Sequence, residues 1–61
     1  MIPIAATYTP TPGEPQEAVT IVDTLFDQER REVIFIFVTN QDGHLGASTN
    51  YEAFTNCRLG H

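Results

Sequence analysis

The sequence predicts a mostly β, α+β domain: a small antiparallel β-meander closed by a short C-terminal helix. Three observations carry that prediction. "VIFIFV", Val33 to Val38, is an unbroken run of β-branched and aromatic residues, the composition of a buried strand. "NQDG", Asn40 to Gly43, follows with residues that tolerate left-handed backbone, so the chain turns back there. Thr49 and Glu52 then have the spacing of a capping box, in which each side chain satisfies the other's free backbone N–H at a helix start.

The first elements are less sharply defined. Residues 1–8 include Ile2, Ile4, Thr7 and Tyr8 and suit a short edge strand. Residues 9–16 hold Pro10, Pro12 and Pro15 with Gly13. The prolines remove backbone donors and favour extended conformations, so this stretch reads as a Pro-rich arm or loop. Residues 17–28, "EAVTIVDTLFDQ", admit two readings. On a helix, Ala18, Val19, Ile21, Val22, Leu25 and Phe26 share one side. The crowding of Val, Thr and Ile favours a strand instead, because a stiff χ1 suits the pleat. "DQERR" supplies a polar turn of hairpin length after it, so the strand is preferred. The alternative is an N-terminal helix at 17–28 packed on a small sheet.

Val33 to Thr39 is the surest element and reads as the central strand. Phe35 and Phe37 share a side with Val33, and Ile34, Ile36 and Val38 share the other. Its polar flanks, Arg30 to Glu32 and Asn40 to Asp42, discourage aggregation. His44 to Ser48 forms a short return strand, weakened by Gly46, which has no side chain to pack. In the helical tail Tyr51 and Phe54 share a face, Arg58 lies near the negative end and Gly60 terminates it. A strand with Tyr51, Ala53, Thr55, Cys57 and Leu59 alternating is the second reading, disfavoured by Asn50 and Asn56. From Glu17 to about Cys57, the order of strand, polar turn, apolar strand, Asp42–Gly43 turn, short strand and aromatic tail resembles SH3-like domains in outline. That resemblance implies a binding module without catalysis.

The 61 residues make a single small domain, 1–61. A chain this short buries only about 60% of the surface its unfolded form exposes, so its core needs supplement. The lone Cys57 excludes an internal disulfide and fits a reducing compartment. A net charge of −5, with three arginines and no lysine, argues against direct binding of a nucleic-acid backbone. The first ten residues lack a charged start and are interrupted by Pro3, a poor secretory signal. No apolar run approaches the ~20 residues that span a bilayer. The expectation is a soluble, cytoplasmic chain with no membrane partner.

No phosphate loop, dinucleotide fingerprint, paired CxxC, HExxH or nucleophile elbow is present. Asp42, His44, Cys57 and His61 are zinc-ligand types, yet they read more simply as a turn, a strand start, a small packed side chain and a terminus. Ser48, His44 and Asp42 lie within seven residues of one another with nothing to form an oxyanion hole. No enzyme, cofactor or metal is therefore expected. The expected function is a small acidic protein-binding module. It would serve as an inhibitor or adaptor of a larger host machine, of phage or mobile-element accessory type. It would also self-associate through its sheet as a homo-oligomer. Aromatic residues anchor interfaces, so Phe35, Phe37, Tyr51 and Phe54 are candidate contacts. Two alternatives are an acidic nucleic-acid mimic, with Asp27 and Glu29 foremost among acids near the hairpin turn, and a small metal-binding protein.

Overall fold

One antiparallel sheet of five strands makes up the computed structural model, which describes residues 3–59. The strands are β1 (Ile4–Tyr8), β2 (Glu17–Asp27), β3 (Glu32–Thr39), β4 (Leu45–Ser48) and β5 (Phe54–Leu59), with one 3₁₀ turn at Tyr51–Ala53 before β5. Their order across the sheet is β4-β3-β2-β1-β5. Four strands thus form a meander, and the fifth returns to pair with the first. The antiparallel, mostly β prediction holds, and residues 17–28 choose the strand. The expected edge strand is an inner one, since β1 pairs with β2 on one side and β5 on the other. The Val33–Val38 run is second from an edge, and β2 occupies the centre.

The expected C-terminal helix is not formed. Asn50, rather than Thr49, caps the single 3₁₀ turn, its Oδ1 accepting the N–H of Glu52 at 3.2 Å. The Phe54 N–H donates to the Tyr51 carbonyl, and the chain then leaves as strand. An isolated helix of about ten residues is marginal, whereas β5 gains a full ladder against β1. Asn56, the residue that argued against a strand, sits at φ 53°, in the left-handed region. The β1–β5 register shifts there, two steps on β1 matching three on β5, so Asn56 occupies a bulge rather than a regular ladder position. Ile2, Gly60 and His61, each given a role above, lie outside the described residues.

The two turns follow their chemistry. Gly43 takes φ 71° and its N–H donates to the Thr39 carbonyl at 2.8 Å, as the "NQDG" stretch predicts. Residues 9–16 link β1 to β2, whose ends Tyr8 and Glu17 are paired, and Gly13 turns the loop at φ 91°.

The core lies on one face of the sheet and at one end of it. Ala6, Val19, Ile21, Phe37 and Phe54 are buried together, with Ile4, Tyr8 and Phe35 packed against them. In a flat sheet β3 and β5, three positions apart, would stand about 14 Å from each other. Yet the Phe54 ring on β5 lies 5.5 Å from Phe37 and 5.6 Å from Phe35 on β3. The sheet is therefore curled, and these rings fill its concave side with Tyr8, 4.7 Å from Phe37 and 4.9 Å from Phe54. Gly46 belongs to this packing. A Cβ built on it would meet the Phe37 ring at 2.6 Å, so the missing side chain leaves room for the ring instead of weakening β4.

Candidate binding surface

The neighbours of β2 and β3 are too short to cover them. β1 pairs with β2 only along Glu17–Ile21, and β4 pairs with β3 only along Phe35–Val38. Beyond those limits Leu25–Asp27 and Glu32–Ile34 pair only with each other among the described residues, while Asp23 and Thr24 pair with Ile36 and Phe35 and lack a neighbour on the β1 side alone. The result is a two-stranded ribbon that runs past the core with both edges open.

A bulge decides which side chains the ribbon presents. Ile21 pairs with Phe37 but Asp23 pairs with Ile36, so Val22 is an extra residue on β2. The insertion inverts the alternation. Before it, Val19 and Ile21 face the core. After it, Thr24 and Phe26 share the concave face with their partners Phe35 and Val33, while Asp23, Leu25 and Asp27 turn to the convex face with Ile36, Ile34 and Glu32. Because the core stops short of the ribbon, its apolar residues meet solvent on both faces: Phe26 is 60% exposed and Leu25 52%, and Val22 and Val33 are exposed too. The convex face continues through half-buried Ile34, Ile36 and Val38 to Leu45 on β4.

The tip is fixed by Asp27. Its Oδ1 accepts the N–H groups of Glu29 at 3.1 Å and Arg30 at 3.4 Å, and its Oδ2 lies 3.9 Å from Arg30 Nε. That ion pair is largely solvated on the Arg30 side and adds little stability. Arg31 closes the turn at φ 53°, a left-handed conformation that a residue with a Cβ adopts at a cost.

The aromatic candidates separate. Phe37 and Phe54 are buried and Phe35 half-buried, all three in the core, which leaves them little surface to offer. Tyr51 is 67% exposed on the 3₁₀ turn. Of the acidic candidates, Asp27 is engaged in the turn and Glu29 is exposed beside it. Asp42 and His44 lie in the β3–β4 connection and Cys57 on β5, the outer strand on the opposite side of the sheet. No group of three or more His, Cys, Asp or Glu gathers among the described residues.

Depressions lie between loop and strand residues among the described residues. One of ≈ 120 Å³ lies between Gln16–Ala18 and Thr39, Gln41 and Asp42. Another, ≈ 320 Å³, lies between Thr9, Pro10 and Pro12 and the cap of the 3₁₀ turn. No helix is long and apolar enough to cross a membrane among the described residues. Val22, Leu25, Phe26 and Val33 are the surface residues that sequence reasoning missed. A length mismatch could have found them, since a hairpin of strands of eleven and eight residues cannot be covered by outer neighbours of five and four. No protein-family model, curated protein or solved structure matches the chain.

Proposed function

We propose that this chain is a non-catalytic protein-binding module that engages its partner through the β2–β3 ribbon. The single observation behind the reading is the exposure of Val22, Leu25, Phe26 and Val33 on a ribbon with open edges. A two-stranded hairpin by itself is marginal in water, so a ribbon this long gains from being covered. Contiguous exposed apolar surface and free strand edges both mark contact sites. The order of elements along the chain resembles SH3-like domains in outline, and that resemblance implies a binding role. An inhibitor or adaptor of a larger machine fits a 61-residue acidic chain.

Self-association through the same ribbon is the second reading, favoured by the same exposed residues. Sedimentation velocity across a wide concentration range tests it, with Leu25→Ser/Phe26→Ser beside the wild type. Concentration-dependent association that disappears in the double variant, with an unchanged far-UV CD spectrum, supports the ribbon as the contact. A wild type that stays monomeric and binds little of an apolar-surface dye counts against it.

A further inference from the structure

We propose that the edge of β2 along Val22–Asp27, open among the described residues, accepts an added strand from another protein, and that this strand carries basic residues opposite Asp23 and Asp27 with apolar or β-branched residues between them. The inference rests on the binding-module reading and names its site and the chemistry of its partner.

The backbone provides the first part of the argument. The Asn40 N–H donates to the Ala18 carbonyl, so before the bulge the even residues of β2 turn their backbone groups to β3. The extra residue Val22 inverts this, leaving Thr24 and Phe26 turned towards the open edge. Thr24 shows the consequence: its N–H donates to Asp23 Oδ1 at 2.8 Å. A carboxylate from the same chain occupies a donor that a neighbouring strand would otherwise use. Among the described residues β1 pairs with β2 no further than Ile4 opposite Ile21.

The side chains select the partner. A strand laid antiparallel along Val22–Asp27 meets Asp23, Leu25 and Asp27 on its convex side and Thr24 and Phe26 on its concave side. Its best five residues are basic, apolar, apolar, β-branched and basic, running from opposite Asp27 to opposite Asp23. Asp23 has no ion-pair partner among the described residues, and Asp27 has only the solvated contact with Arg30. A basic side chain opposite Asp23 draws its carboxylate away from Thr24, and the freed N–H then takes a carbonyl of the added strand. Charge pairing and ladder formation thus reinforce each other. A second copy of this chain is the poorer occupant, because it brings a further charge of −5 and sets aspartates against aspartates.

The test is an NMR titration of the isotopically labelled chain with a synthetic peptide of that five-residue pattern. Two control peptides accompany it, one with acidic residues replacing the basic ones and one with proline at the fourth position. The basic peptide should shift the Thr24 and Phe26 amides and bind about tenfold tighter than the acidic peptide, as two exposed charge pairs changed from attraction to repulsion imply. The proline peptide should lose binding. Asp23→Lys, on the exposed face, should abolish the preference between the two charge versions, since Asp27 still favours the basic peptide, with the CD spectrum unchanged. Equal binding of both charge versions, shifts confined to residues such as Leu45 or Tyr51, or no shift at millimolar peptide would overturn the proposal. If no peptide binds but the chain self-associates through Leu25 and Phe26, this inference fails and the ribbon reading stands. If both are absent, both fail.

Discussion

The two ends of the β2–β3 hairpin are built from similar residues and behave differently. Near Val19, Ile21 and Phe37 the strands have neighbours on both sides, and the curl of the sheet brings Tyr8 and Phe54 over them. Near Phe26 and Val33 the same kind of apolar side chain stands in solvent, because β1 and β4 have ended. What separates a core residue from a surface residue here is strand length rather than hydrophobicity. The chain has enough apolar residues for both ends but enough sheet for only one.

The largest effect should come from the sealed end. Phe54→Ala removes the ring that touches Tyr8, Phe35 and Phe37, and it should cost about 3–5 kcal/mol, unfolding much of so small a domain. Phe26→Ala, the same substitution on the ribbon, should change stability by no more than about 0.5 kcal/mol in urea denaturation. Equal losses at the two positions would break the comparison. Gly46→Ala sharpens it, since the new Cβ would meet a ring already held by Tyr8 and Phe54. A loss of about 1–3 kcal/mol is expected in the same measurement.

At the ribbon tip a small gain is expected. Arg31→Gly relieves the left-handed backbone at the ribbon tip, worth roughly 1–2 kcal/mol, and loses part of that to the freer unfolded chain. A net rise of about 0.5 kcal/mol by thermal denaturation is expected, without change at the sealed end.

Much of this architecture was legible, and the misreadings share a cause. The Val33–Val38 strand, the Asn40–Gly43 turn and the partition of Phe35 and Phe37 from Ile34 and Ile36 follow from local pattern alone. Residues 17–28 looked half helical because the bulge at Val22 breaks the strand alternation, and no local feature announces an inserted residue. The tail looked helical for a similar reason. Asn50 and Asn56 suit a regular strand poorly, and neither is in one: the first caps a 3₁₀ turn and the second takes the left-handed position of a bulge. The candidate surface was harder to read. Aromatic type pointed to Phe37 and Phe54, which the curl of the sheet buries, and curl is a long-range property of pairing.

Stability is expected to reside at the curled end, with the ribbon as the proposed contact surface. Native-state amide hydrogen exchange, read residue by residue, tests this most directly. Amides of Val19, Ile21 and Phe37 should exchange only through global unfolding, and the ribbon's own ladder amides, those of Leu25, Asp27 and Ile34, through local opening of far lower free energy. Uniform protection along β2 and β3 would contradict the claim.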